Sequence, residues 1–341
     1  MGIPGNLLTT AMAVMPHTDV DRAMTIAMSL DIPFWPQLPH LTYYEDMYVQ
    51  ASEHFPGIEL DLAHRKLRFS RERFIAEFED TLSHLDEPDF LDISETYSVV
   101  YHRFLGLDLS QRVAVRGQME GPISLGFNIP DQDGRPILFD DTVRPFMLDF
   151  MAKRATVQLR RLKGRNPNAF MYIDEPGLQF LFSAMAGYGD QAARLDMEYF
   201  FSMIERPRGV HLCGNPDWDF LLGLDLDILS LDVYNNGEIF ASYAGSIRRF
   251  LDRGGILVWG IVPTNFEPFS REDLQGLQRR LYDIWDALAR RGIDREMILS
   301  RGLLSPATCC LVNPDRERTV EQAFGVVRRL SEEMRERHDL G

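Results

Sequence analysis

From residue 142 to its last helix the chain repeats one pattern: an amphipathic stretch of helical spacing, a short apolar run, then the next amphipathic stretch. Alternation of this kind marks βα units, because parallel neighbours in a sheet need a crossover helix between them. Residues 142–165 read as a helix, with Asp141 or Thr142 as cap, leading into the strand AFMYIDEP at 169–176. A helix at 190–207 precedes the strand GVHLCG, and a short helix around DWDFLLGL precedes DILSLDVY at 227–234. The helix EIFASYAGSIRRFLDRG precedes GILVWGIVP at 255–263, the helix 270–292 precedes GLLSPATCC, and TVEQAFGVVRRLSEEMRERH closes the series. Such units in series predict an α/β fold, a single (β/α)8 barrel formed by residues 1–341 as one domain, rather than two domains.

The first half is less regular. LTTAMAVM predicts the first strand and DVDRAMTIAMSL its helix, whereas IPFWPQLP, with three prolines, predicts an extended apolar segment. Residues 112–124 predict an inner strand, and the Asp-Gly turn in GFNIPDQDGRPILF predicts a hairpin insertion. The barrel is therefore expected to carry an elaborated N-terminal side.

Charge and cysteine content narrow the partners. The net charge is -15 and no long Lys/Arg cluster occurs, which argues against nucleic acid or an anionic membrane surface and for small molecules or a protein. No apolar run reaches the roughly 18 residues of a membrane span. The N-terminal run lacks a basic region before its apolar stretch, so a cytoplasmic protein is expected. Three cysteines, two of them vicinal, are too few and wrongly spaced for a disulfide framework, and reduced thiols are expected.

Polar residues collect where the predicted strands end. Asp174 and Glu175 follow FMYI, His211 and Cys213 follow GV, Ser230 and Asp232 lie within ILSLD, and Cys309 and Cys310 follow LLSPAT. In a barrel of this class the C-terminal strand ends are where active sites are built. Alternation puts His211 and Cys213 on one face, so an imidazole and a thiol sit together. Histidine, cysteines and a carboxylate suit zinc, while a packed cysteine beside a hydrogen-bonded histidine is the plainer alternative. Asp174 and Glu175 precede a proline and could equally serve as turn or cap residues. Asp232, inside an apolar strand, needs a cation, a donor or a raised pKa. If the last segment stays extended, only one of Cys309 and Cys310 can face the same point. His17 and His102 are expected to be surface or core histidines, and Phe34, Trp35 and Tyr43 to be packing aromatics or the lining of a pocket mouth.

MPHTD, GPIS at 121–124, YIDEPGL at 172–178, HLCG at 211–214, DILSLD at 227–232, GIVPT at 260–264 and SPATCCL at 305–311 together resemble the zinc-dependent catalytic half of cobalamin-independent methionine synthase, within the uroporphyrinogen decarboxylase-like barrels. The resemblance covers nearly the whole chain and extends to single-barrel proteins that are methionine synthase-like. It implies a zinc site made by His211, Cys213, Asp232 and Cys309, with Cys310 as the alternative to Cys309; the family has glutamate where Asp232 stands. It implies catalytic carboxylates at Asp174 and Glu175, with Asp174, Glu45, Ala13 and Val14 around a substrate such as homocysteine. Ala13 and Val14 replace the family's glycine-serine. The implied reaction is methyl transfer to a small-molecule thiol in methionine biosynthesis. The donor implied is a methylated corrinoid, methylcobalamin or a corrinoid protein, because the chain has no room for the synthases' second barrel. Two other classes remain: a metal-free decarboxylase of the uroporphyrinogen type, and a non-catalytic barrel that binds metal or corrinoid.

Overall fold

The computed structural model describes residues 5–180, 188 and 190–340. The first four residues of the N-terminal run considered above lie outside them. Nine strands occur among the described residues: β1 (Leu8–Thr9), β2 (Ile58–Asp61), β3 (Lys66–Phe69), β4 (Arg116–Glu120), β5 (Phe170–Asp174), β6 (Arg208–Leu212), β7 (Ile228–Asp232), β8 (Ile256–Val262) and β9 (Gly302–Pro306). Seven of them form one parallel sheet in the order β1-β9-β8-β7-β6-β5-β4. Strands β4 to β9 are buried at almost every position, as parallel strands covered on both faces must be.

The sheet is barrel-like but its ladder does not close, which corrects the eight-stranded expectation. Residues 32–37, the proline-rich segment, run between the edge strands β1 and β4. Isolated parallel bridges join Phe34 to Arg116 and Val14 to Gln37. The Ile32 N–H donates to Thr9 O at 2.9 Å, Arg116 N–H to Pro33 O at 3.0 Å, and Gln37 N–H to Ala13 O at 2.8 Å. Pro33 and Pro36 have no N–H to give, so a regular ladder cannot run through this segment.

Side chains alternate across the sheet. Ile32, Ala114, Phe170, Tyr172, Ile228, Ile256, Val258 and Leu303 form a separate inner cluster. The intervening strand residues, among them Met171, Ile173, Leu229, Leu231, Leu257 and Trp259, pack outward in the larger cluster with the helices. No helix among the described residues is long and apolar enough to cross a membrane.

Local boundaries follow capping chemistry. The long helix Val143–Lys163 is capped by neither Asp141 nor Thr142; Asp140 Oδ1 accepts from the N–H groups of Thr142 at 2.9 Å and Val143 at 3.2 Å. The stretch expected as one helix before β8 is two, Val233–Ser242 and Ala244–Asp252, broken at Tyr243. The insertion expected as a hairpin at 126–139 follows the helix Pro122–Asn128 and keeps one antiparallel bridge, Pro130 to Pro136, with Asp131 N–H donating to Arg135 O at 2.9 Å and Ile137 N–H to Ile129 O at 3.0 Å; prolines on both arms stop it from extending. The antiparallel hairpin lies earlier, between β2 and β3.

Strand β8 carries a bulge between Gly260 and Val262. A Cβ on Gly260 would sit 2.6 Å from Leu231 O and 3.0 Å from Pro306 O, both backbone atoms that cannot swing aside. Gly260→Ala is expected to lower unfolding free energy by about 1–3 kcal/mol, the usual cost of overpacking, read as a fall in the urea midpoint with an unchanged slope.

Candidate active site

The register lines up the polar strand ends. Glu120 pairs with Asp174, Asp174 with His211, and His211 with Ser230, across four neighbouring strands. Below this row lies Arg116, fully buried, its guanidinium 4.6 Å from the ring centroids of both Phe34 and Tyr172. Its N–H groups donate to Thr10 Oγ1 at 3.2 Å, to Gln118 Oε1 at 3.0 Å and to the Ala11 carbonyl. Burial lowers its pKa to about 10, so it stays cationic near neutrality.

His211 lies on β6 and is buried. Its Nδ1 is 3.0 Å from Ser230 Oγ and its Nε2 is 2.8 Å from Cys213 Sγ. Burial, with the Arg116 charge adding to it, lowers the imidazole pKa to about 3, so the ring is neutral and one nitrogen keeps a lone pair. Cys213 is also hydrogen-bonded to Cys309. That bond lowers the pKa of Cys309, while the same bond, burial and the neighbouring Cys309, Asp174 and Asp232 charges raise that of Cys213. Of the two thiols, Cys309 is therefore the more acidic. Cys309 is solvent-exposed. Cys310 points elsewhere: its thiol donates to Asn265 Oδ1 at 3.1 Å, and burial raises its pKa. The vicinal pair thus has separate partners, Cys213 for Cys309 and Asn265 for Cys310.

Three expected site carboxylates are engaged in holding local backbone. Asp232 caps the helix Val233–Ser242, Oδ1 accepting from Asn235 N–H at 3.0 Å and Oδ2 from Asn235 Nδ2 at 2.6 Å. Glu175 accepts from Ile123 N–H at 3.0 Å, Ser124 N–H at 2.9 Å and Ser124 Oγ at 2.7 Å. A Cβ on Gly121 would collide with its carboxylate. Glu45 accepts from Gln50 Nε2 at 3.0 Å, Ser98 Oγ at 2.7 Å and Val100 N–H at 3.2 Å. Ala13 and Val14 offer the loop after β1 no polar side chain, and the bonds above tie their backbone to Gln37.

Asp174 differs. Its Oδ1 is sealed from solvent without a hydrogen-bond partner, and burial raises its pKa to about 7, opposed only by Arg116. Glu120, which reading by residue type overlooked, is 2% exposed with Oε1 unpartnered. Burial first, then Asp174 and Glu175, raise its pKa, and the Tyr48 phenol hydrogen-bonds it. Its signal in the sequence was a charged residue at an inward alternate position of RGQME, as for Arg116. The remaining candidates are structural: His17 bonds Glu321 at 3.1 Å, His102 bonds Ile93 O at 2.7 Å, Trp35 packs against Tyr101 and Phe104, and Tyr43 lies under Arg65.

Among the described residues no group of three or more His, Cys, Asp and Glu side chains is arranged to hold a metal ion. The four-residue set expected from the sequence is not assembled: Asp232 caps its helix, and His211, Cys213 and Cys309 bond to one another in series rather than around a common centre.

The sequence matches no protein-family profile and no curated protein. Its fold is shared with a B12-independent methionine synthase from Shewanella sp. W3-18-1, with a TM-score of 0.56, 12% identity and 99% of each chain covered. It is shared equally with a methyltransferase from Methanosarcina mazei, with a TM-score of 0.53, 14% identity, and 98% of this chain and 94% of that one covered. The chain has the fold of these methyltransferases over its full length.

Two outcomes follow for metal-free protein. Iodoacetamide at neutral pH should alkylate Cys309 before Cys310, and Cys213→Ser, which weakens the bond to the Cys309 sulfur, should slow the Cys309 reaction, as read by peptide mass spectrometry. For Asp174 the folded pKa exceeds that of the unfolded chain, so its contribution is greatest below about pH 4 and is lost as pH rises to about 7. Asp174→Asn lacks this loss. Its stability relative to the unchanged protein should therefore rise between these limits, by a few kcal/mol at most, and then level off, measured by urea unfolding across the range.

Proposed function

We propose that the chain is a zinc-dependent methyltransferase that methylates a small-molecule thiol, working as one domain. The observation that supports this most is the contact of a neutral His211 Nε2 with Cys213 Sγ, itself bonded to Cys309, at the mouth of a barrel-like sheet. A lone-pair imidazole and two thiols suit zinc, and three protein ligands with one open position are the pattern of catalytic sites. Bonds near 2.0 and 2.3 Å set neighbouring ligands about 3.5 Å apart, so the 2.8 Å contact has only to widen by a side-chain rotation. His211, Cys213 and Cys309 would hold the metal, and Asp232 would remain a helix cap. Bound zinc supplies a Lewis acid that keeps a substrate thiol ionised near neutral pH.

The chain's own residues do the rest. Ser230 fixes the His211 ring so that Nε2 faces the sulfurs. Cys213 and Cys309 must both be deprotonated to ligate, which makes metal uptake pH-dependent. Asp174, with an unpartnered oxygen beside His211, is placed to orient the acceptor. Glu175 holds the backbone at 121–124 in place and so shapes the wall next to Asp174.

The methyl donor proposed is a methylated corrinoid, free or carried by a protein. The Shewanella protein is described as B12-independent and aligns over 99% of its length, so chain size alone does not select this donor. A decarboxylase for an acidic tetrapyrrole fits less well. The strand ends carry Glu120, Asp174 and Asp232, and Arg116 lies beneath them with its donors engaged.

Protein purified without added metal should carry about one zinc per chain, as catalytic sites with three protein ligands do. His211→Ala, Cys213→Ser and Cys309→Ala should each lose most of it, while Cys310→Ala and Asp232→Asn keep it. Thiol methylation from methylcobalamin and from a methyl-folate, scored by mass spectrometry, should fall with the metal. Full zinc retention in both Cys213→Ser and Cys309→Ala would refute the site, and zinc without methyl transfer from either donor would leave a non-catalytic metal-binding barrel.

A further inference from the structure

We infer that a cavity at the N-terminal end of the sheet binds a small organic monocarboxylate with an apolar body, its carboxylate held by Arg301. The site goes beyond the function proposed above and uses none of its residues.

The segments that lead into five consecutive strands, β5 to β9, meet around a cavity of about 660 Å³, a size usual for small-molecule sites. It lies at the opposite end of the strands from Asp174 and His211. The strand β5 alone, five residues at a rise of about 3.3 Å each, separates it from Asp174. Pro167, Ala169, Pro207 and Ile256 give the cavity apolar walls, and three cations, Lys163, Arg206 and Arg301, stand among them with one acid, Asp227.

Two of the cations are committed to the fold. Arg206 pairs with Asp225 and Asp227, and Lys163 Nζ donates to the Arg206 carbonyl at 2.8 Å and lies 3.7 Å from Glu205. Asp227 is committed as well, Oδ1 to Arg206 and Oδ2 to the Arg208 N–H at 2.7 Å. Arg301 is not. Its backbone is fixed, the N–H donating to Met297 O at 3.0 Å and the carbonyl accepting from Leu257 N–H at 2.9 Å. Its half-buried guanidinium, however, has no hydrogen bond or ion pair among the described residues. Gly254 lets that head group lie across the turn before β8: its φ is +100°, and a Cβ there would stand 3.4 Å from Arg301 Nη1.

The charges select the ligand. One uncompensated guanidinium, planar and with paired N–H groups, matches one carboxylate in a two-point contact. A phosphate dianion would need a second free cation, which Lys163 and Arg206 do not supply. An ammonium would be repelled. The apolar walls beside the charge favour a hydrocarbon body over a bare anion such as acetate, because burying that body removes it from water. In a chain of net charge -15, a concave surface with three cations and one acid draws anions away from the acidic strand ends.

The test titrates the full chain with phenylacetate, phenylacetamide, phenethylammonium, acetate and inorganic phosphate, with affinities read by ligand-observed NMR. Phenylacetate should bind roughly ten-fold or more tightly than each of the others, as a charge-assisted pair beside an apolar wall would. Arg301→Gln, with an unchanged near-ultraviolet circular dichroism spectrum, should erase its advantage over phenylacetamide. Amide hydrogen exchange on the unchanged protein locates the site: phenylacetate should slow exchange within 164–169 and 253–257 and leave 211–215 and 305–311 as they were. That measurement decides the matter if Arg301→Gln does not fold. Equal affinities for phenylacetate and phenylacetamide, phosphate bound as tightly as phenylacetate, a preference that survives Arg301→Gln, or protection confined to the segments of His211 and Cys309 would overturn the inference. So would loss of binding in EDTA, which would place the carboxylate on a metal instead of on Arg301.

Discussion

A buried guanidinium holds the two edges of the sheet together. Residues 32–37 cannot complete a backbone ladder, because prolines interrupt the supply of N–H groups. Arg116 and Gln118 bridge the gap with side chains: Arg116 reaches Thr10 and Ala11 on one side, and Gln118 donates to Trp35 O at 2.9 Å. Burying an unpaired cation costs several kcal/mol, and stacking on Phe34 and Tyr172 with a hydrogen bond from each nitrogen offsets that cost. The same charge adds to the burial that keeps His211 neutral and opposes the burial that raises the pKa of Asp174, so the closure of the wall and the electrostatics of the mouth share one residue.

How much was legible depended on periodicity. The strands β5 to β9 and the helices between them were readable because helical and extended periods alternate there over long stretches, with errors of a few residues at the ends. Asp140 escaped notice as a cap because a carboxylate two or three residues upstream can serve as well as the expected neighbour. The hairpin β2–β3 was missed, and the one expected over residues 126–139 is cut to a single bridge, Pro130 to Pro136; a good turn sequence makes only a short hairpin when prolines stand on its arms. The segment IPFWPQ was rightly extended, but its place between two sheet edges is a tertiary fact that no local spacing contains.

The candidate site divides in the same way. Alternation put His211 and Cys213 on one face from sequence, and the structure brings Cys309 to them. Residue type could not separate a functional carboxylate from a capping one. Asp232, Glu175 and Glu45 differ from Asp174 and Glu120 only in whether a backbone N–H or an amide arrives to meet them, and that depends on where the following helix begins. Glu120 was overlooked although the rule applied to Asp232, that a charge in an inward strand position needs a reason, applied to it equally.

The first strand of the sheet finds its ladder partner in the last: Leu8 lies beside Leu303 and Thr9 beside Leu304, and Ser331 Oγ donates to Leu7 O at 2.7 Å. During synthesis β1 must therefore wait for nearly the entire chain before its backbone is paired, and loops of that length close slowly. The segment that ends its wait also carries Cys309. The sulfur that completes the mouth thus arrives with the strand that completes the wall, so a chain caught short of that step lacks both.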